Sequence, residues 1–130
     1  MTHPDASYPK NPDTPTSHLP FSPCVAFGDL IFVSGQASVD ATGKIISDTF
    51  ENEFRRSLEN MRKILEAAGS DFAHVIQTRN YVRDEEDLPL YNKLYREYFT
   101  EPYPSRTTIV KCLGTNLRYE GECVAVKRKK

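Results

Sequence analysis

Between two stretches rich in β-branched residues lies "DTFENEFRRSLENMRKILEAAG", residues 48–69, and no other segment constrains the fold as much. Phe50, Phe54, Leu58, Met61 and Leu65 recur at spacings of four, four, three and four. On a helix of 3.6 residues per turn they make one apolar stripe. Asp48 and Glu51 give a D-x-x-E capping-box pattern at its start, and Gly69 stands where a C-terminal cap takes positive φ. A helix with one apolar face has to bury it, and the strand-like segments on either side supply the sheet to bury it against.

Upstream, "CVAF" and "LIFVSG" read as strands joined by a hairpin turn at Gly28-Asp29. "ATGKIIS" then holds a turn at Thr42-Gly43 and a short third strand. Downstream, "HVIQTRNYVRD" reads as a strand with Val75, Gln77, Arg79 and Tyr81 on one face and Ile76, Thr78, Asn80 and Val82 on the other. Both faces are mixed, and a buried Asn80 would need hydrogen-bond partners, which suggests that one sheet face meets another subunit. "DLPLYNKLYREYF" gives a second helix, with Asp87 as cap, Pro89 in the first turn and a stripe of Tyr91, Leu94, Tyr95 and Tyr98. "RTTIVKCL" and "YEGECVAVK" are two more strands around "GTN". The expected order is βββαβαββ, an α/β fold in which one mixed sheet carries two helices on a single face. Oligomerisation would cover the other face.

A length of 130 residues suits one domain, placed at 19–127. Residues 1–18 carry prolines at 4, 9, 12 and 15 among polar residues and are expected to form a flexible arm outside the core. Residues 128–130 belong to a basic tail expected to be solvated. Net charge is −1, but "KRKK" at 127–130 supplies +4, so the body stands at −5. An acidic body argues against dedicated nucleic-acid binding. No apolar run nears the roughly 18 residues of a membrane span, and the first ten residues lack a secretory pattern. Cys24, Cys112 and Cys123 are odd in number and form no C-x-x-C, which fits free thiols in a reducing cytoplasm. His3, His18 and His74 lack metal-ligand spacing, so no metal is expected. The glycine-rich phosphate-binding patterns and G-x-S-x-G are absent.

Three short segments could do chemistry. In "EPYPSRTTIV", 101–110, Arg106 opens a strand behind a rigid Pro104, a good position for a guanidinium meant to clamp a carboxylate. Glu120 and Glu122 of "YEGEC" share a face of the last strand because side chains alternate. One of them could complete a structural ion pair with Arg106, or shuttle a proton beside a substrate pocket. "VSGQ", 33–36, ends a strand with a glycine that permits close approach of a ligand.

Taken together, "FVSGQ", "SLENMRKILEAAGS", "NKLYREYF", "PYPSRTT" and "YEGECVAV" stand in the order and spacing of the RidA (YjgF/UK-type) family of reactive-intermediate deaminases, which the chain resembles from about Leu19 to Lys127. The resemblance implies a chorismate-mutase-like fold, a homotrimer around a central barrel with helices outside, and active sites in the clefts between subunits. It also implies cofactor-free hydrolysis of small enamines or imines, such as 2-aminoacrylate, to a 2-ketoacid and ammonia. Arg106 matches the arginine that holds the substrate carboxylate, and Glu120 the residue that orients or activates water. Ser34 and Gly35 match the pocket-lining strand end, Asn92 the helix asparagine near the site, and Thr107 the position whose backbone helps hold the water. Glu122, on the face of Glu120, is added as a substrate-side residue.

Some positions depart from the family pattern. Where the family has Gly-Pro-Tyr, this chain has Leu19-Pro20-Phe21, so the Phe21 ring persists without its hydroxyl. Arg79 and Asn80 replace residues more often apolar or small, and the proline-rich arm is longer than usual. These differences bear on the substrate, which could be a larger or differently polar imine such as an aminomuconate-like ring-cleavage product, more than on the reaction. The competing reading is a non-catalytic module that binds a small carboxylate or a protein partner, which needs Arg106 but tolerates Glu120→Gln. A ribonuclease or translation inhibitor is a third reading, opposed by the acidic body and the lack of histidine in the candidate site.

Overall fold

The stripe read from the sequence is buried in full: Phe50, Phe54, Leu58, Met61 and Leu65 line the inner side of α1, Phe50–Ala67. The computed structural model describes residues 3–129. Around α1 it arranges strands β1 (Ala6–Ser7), β2 (Cys24–Phe27), β3 (Leu30–Ala37), β4 (Val75–Val82), β5 (Ser105–Val110) and β6 (Tyr119–Val126), with α2 at Leu88–Tyr98. They form one sheet in the order β1-β2-β3-β6-β4-β5. Only the β4–β5 pair is parallel; the other neighbours are antiparallel. The last strand in sequence therefore fills the middle of the sheet, between β3 and β4.

Both helices cover one face. Phe54 packs on Tyr91 and Tyr98 of α2 and on Tyr119 of β6, with ring centroids 4.6 to 6.2 Å apart. On the opposite face Leu30, Phe32, Ile76 and Ile109 are exposed. Alternation along the strands produces this division: β6 runs strictly buried at Tyr119, Gly121, Cys123 and Ala125 and partly exposed between them.

Several expectations needed correction. The observed order is also βββαβαββ, but the three leading strands are not the three expected. "ATGKIIS" makes only an isolated bridge between Val39 and Ile45, because the Asp40 carboxylate binds the backbone N–H groups of Thr42 and Lys44 and holds a tight loop. The first strand comes from the supposed arm, where Ala6 and Ser7 pair with Phe27 and Ala26. That arm is fastened further along as well, with Thr14 buried and Thr16 N–H donating to the Ala41 carbonyl at 3.0 Å. The basic tail is partly fastened too: Arg128 donates its N–H to the Gly69 carbonyl and its guanidinium to the Ser70 carbonyl. Lys130 lies outside the described residues.

In β4 a register shift between Val75 and Gln77 turns Val75 to the helix side, where it joins Thr78, Asn80 and Val82. Asn80 has the partners that burial demands. Its Oδ1 accepts from the Tyr119 hydroxyl at 2.6 Å, and its Nδ2 donates to Thr78 Oγ1 and to the Thr107 carbonyl.

The ends of α1 explain how it is set. Gly69 has φ +81°, Gly69 N–H bonds the Glu66 carbonyl and Ser70 N–H bonds the Leu65 carbonyl, which is a Schellman ending. At the start, Thr49 is the cap rather than Asp48, its hydroxyl accepting from Asn52 N–H at 3.2 Å. Glu53, 1% exposed, accepts from Asp48 N–H at 2.9 Å and from Arg118 N–H at 2.8 Å. It thus ties the start of α1 to the chain entering β6. Glu53→Ala leaves two backbone donors without partners, and should lower unfolding free energy by about 3 kcal/mol. A urea melt with an unchanged midpoint would contradict that role.

Candidate functional site

Arg106 lies opposite Thr78 in the β4–β5 register, and so on the helix-covered side at the sheet edge. Its Nη1 donates to Asn92 Oδ1 at 2.9 Å, and its Cζ lies 5.0 Å from the Tyr91 ring centroid and 4.9 Å from that of Tyr95. Both rings are pinned, Tyr91 Oη to Thr108 Oγ1 at 2.7 Å and Tyr95 Oη to Thr78 Oγ1 at 2.8 Å. Burial pushes the Tyr91 phenol up to about 12, which keeps that ring neutral beneath the cation. A guanidinium over two aromatic faces and fixed by an amide is pre-organised. It opens on a cavity of about 220 Å³ lined by Asn92, Tyr95, Arg96, Tyr103, Pro104 and Arg106.

Glu120 stands elsewhere. It pairs with Ala37 of β3 and Tyr81 of β4, on the open face of the sheet. Thr78 and Tyr81, the register partners of Arg106 and Glu120, are three residues apart on β4 and so point to opposite sides. The structural ion pair between Arg106 and a glutamate, left open by the sequence, is therefore not formed within one chain.

A second group of predicted residues does gather around Glu120. The β3–β6 register shifts between Val33 and Gln36, which places Gly35 under the Glu120 carboxylate. A Cβ on residue 35 would sit 2.5 Å from Glu120 Oε2, so a larger residue there would push the carboxylate out of its present position. Ser34 donates its hydroxyl to the Ser22 carbonyl at 2.6 Å and its N–H to the Pro23 carbonyl at 3.0 Å. These bonds tie the segment carrying the half-exposed Phe21 to this end of β3. Glu122, two residues on, accepts from the Tyr81 hydroxyl at 2.6 Å. Thr107 lies opposite Arg79, as Glu122 does, and shares that face. Burial, and then the neighbouring charge of Glu122, raises the Glu120 carboxyl above the usual glutamate range.

The predicted residues thus form two half-sites: Arg106 with Asn92 beneath the helices, and Phe21, Ser34, Gly35, Glu120 and Glu122 on the open side, with Thr107 on the edge strand. The sequence reading took Tyr91 and Tyr95 only as core stripe. Their i, i+4 spacing astride Asn92 was the available signal that one helix turn presents two rings and an amide together. Arg96 and Tyr103 were missed. Among the described residues no group of His, Cys, Asp and Glu could hold a metal ion, and no helix is long and apolar enough to cross a membrane.

The sequence and the fold resemble those of known proteins. Residues 12–127 match the family described as Endoribonuclease L-PSP. The chain is 34% identical over 113 residues to "Reactive Intermediate Deaminase A, chloroplastic" of Arabidopsis thaliana, covering 85% of this chain and 60% of that protein. It is 34% identical over 110 residues to the human "2-iminobutanoate/2-iminopropanoate deaminase", covering 83% and 80%. Among solved structures, E. coli TdcF with bound serine superposes with a TM-score of 0.82 at 29% identity, over 94% of this chain and 99% of that one. The class is that of α/β proteins with a mixed sheet covered on one face by two helices. The chain belongs to the Endoribonuclease L-PSP family, the RidA family of reactive-intermediate deaminases.

Proposed function

We propose that this protein is a hydrolytic deaminase of small enamines and imines, working without metal or cofactor in a homotrimer whose clefts bring Arg106 of one chain to Glu120 of the next. The observation that carries this reading is Arg106 itself. It is held by Asn92, Tyr91 and Tyr95, faces an open cavity, and has no carboxylate partner among the described residues. An arginine fixed so firmly and left unneutralised is placed for an anionic ligand. Two relatives, the Arabidopsis protein named a reactive intermediate deaminase and the human protein named a 2-iminobutanoate/2-iminopropanoate deaminase, supply the chemistry to test.

The substrate carboxylate would sit on the guanidinium, leaving the electrophilic imine carbon towards the neighbouring chain. Glu120 would take a proton from water as its oxygen bonds to that carbon, and return it to nitrogen. Glu120 would then take the hydroxyl proton of the resulting carbinolamine and pass it to nitrogen as the carbonyl forms and the C–N bond breaks, releasing ammonia and the 2-ketoacid. Such a substrate is already activated, so orientation and one proton shuttle suffice. The two half-sites on opposite sides of one sheet, together with the exposed apolar residues of the open face, support a trimeric arrangement.

The test is ammonia release from freshly generated 2-aminoacrylate and 2-iminobutanoate. The wild type should accelerate it and Glu120→Gln should not, while still binding the product 2-oxobutanoate. Release unaffected by Glu120→Gln would leave a carboxylate-binding module. The pH profile gives a further check. The base acts only when ionised, and its carboxyl is raised above its ordinary 4.5, so the acidic limb of kcat/KM should lie above that value. Glu122→Gln removes the like charge and should move the limb to lower pH. A limb that moves up, or not at all, contradicts the coupling.

A further inference from the structure

The cavity in front of Arg106 contains a second arginine. Arg96 lines it, one helical turn beyond Asn92 on α2, and the other residues of its wall are Asn92, Tyr95, Tyr103 and Pro104, none of them acidic. Asn92 serves both cations: its side-chain Oδ1 accepts from Arg106 Nη1 at 2.9 Å, and its backbone carbonyl accepts from Arg96 Nη1 at 3.3 Å. Two guanidinia are thereby referred to one residue, on one rim of one cavity.

Their lack of counter-charge sets them apart from the arginines of α1. Arg55 is matched by Glu51 and Glu97, Arg56 by Asp48, and Arg62 by Glu59 and Glu66. Neither Arg96 nor Arg106 has a carboxylate within ion-pair distance among the described residues. One arginine is enough to orient a 2-imino monocarboxylate. A second, unneutralised on the same cavity, raises the local positive potential and offers a second fork for a second acid group.

We propose that Arg96 makes this site selective for 2-imino dicarboxylates, with the carboxylate next to the imine carbon on Arg106 and the distal carboxylate on Arg96. The assignment rests on the deaminase reading and deepens it by naming the substrate class. Tyr103, also exposed on this wall, offers a hydroxyl to the same distal group. Arg96 is a specificity residue here; the reacting atoms stay with Arg106 and the water-handling carboxylate.

The experiment compares 2-iminoglutarate with 2-iminobutanoate, each generated in situ by an amino-acid oxidase, in wild type, Arg96→Gln and Arg96→Lys. The readout is the ratio of the two kcat/KM values. The wild type should favour the dicarboxylate, Arg96→Gln should lower the ratio about tenfold, as loss of one charge-assisted contact does, and Arg96→Lys should restore part of it. Arg96 is on the surface of α2, so these variants fold. A ratio that does not move in Arg96→Gln overturns the proposal while leaving the deaminase reading intact. If wild type hydrolyses neither imine, the deaminase reading fails, and calorimetric binding of 2-oxoglutarate against 2-oxobutanoate decides this one. A preference for 2-oxoglutarate that Arg96→Gln abolishes supports it, and equal affinities in both proteins end it.

Discussion

Replacing Arg106 by alanine should lower kcat/KM for a 2-imino acid by roughly 100- to 1000-fold, with the fold intact. The size follows from what the residue does in the structure. A charge-assisted, two-donor contact holds the substrate, and losing it also removes the alignment of the imine carbon with the water. Lysine at 106 should recover only a small part. An ammonium is a point charge without the fork, and it cannot at once reach Asn92 Oδ1 and lie flat over the Tyr91 and Tyr95 rings as the guanidinium does. The side chain is exposed at a sheet edge, so urea midpoints and near-ultraviolet dichroism should stay close to wild type. The loss should show in binding too, as a matching fall in affinity for 2-oxobutanoate. An Arg106→Ala protein that deaminates at wild-type rates would remove the residue on which the functional reading depends.

How much of this could be read beforehand depended on how local each cause is. The α1 stripe and Gly69 were legible because 3.6-residue periodicity and a positive-φ ending are properties of contiguous sequence. The Gly28 turn was legible for the same reason, with φ +59° between β2 and β3. The β1 strand was not, since two residues of a proline-rich segment carry no periodic signal and pair only because Phe27 and Ala26 offer an edge some twenty residues away. Nor could strand alternation foresee the shift at Val75–Gln77, where one extra residue reversed the expected face. For the candidate site, Arg106, Glu120 and Gly35 were singled out by residue type and by the family motif. That Arg106 and Glu120 face opposite sides of the sheet depends on β6 entering between β3 and β4, and this is a matter of topology. Tyr91 and Tyr95 were counted as core because a helix stripe does not reveal that its outer edge also carries a cation.

That topology leads to the second large effect. Arg106→Ala and Glu120→Gln proteins, each nearly inactive alone, should regain activity when unfolded together and refolded as a mixture. In a cyclic trimer each proposed site takes its arginine from one chain and its glutamate from the next, because no chain can bring its own two to the same side of its sheet. An intact site then arises wherever a Glu120→Gln chain, which keeps Arg106, precedes an Arg106→Ala chain, which keeps Glu120. Random assembly of equal amounts satisfies that order at about one quarter of the interfaces. Mixed protein should therefore reach about a quarter of wild-type kcat per site, with KM near wild type, since each restored site is complete. The sign of the result is hard to imitate: two inactivating substitutions in one self-contained site would give no recovery at any mixing ratio. The double variant Arg106→Ala/Glu120→Gln mixed with wild type is the control. It leaves intact only interfaces between two wild-type chains, so activity should fall with the square of the wild-type fraction. A linear fall would place both residues in the same subunit's site, against the geometry of the sheet.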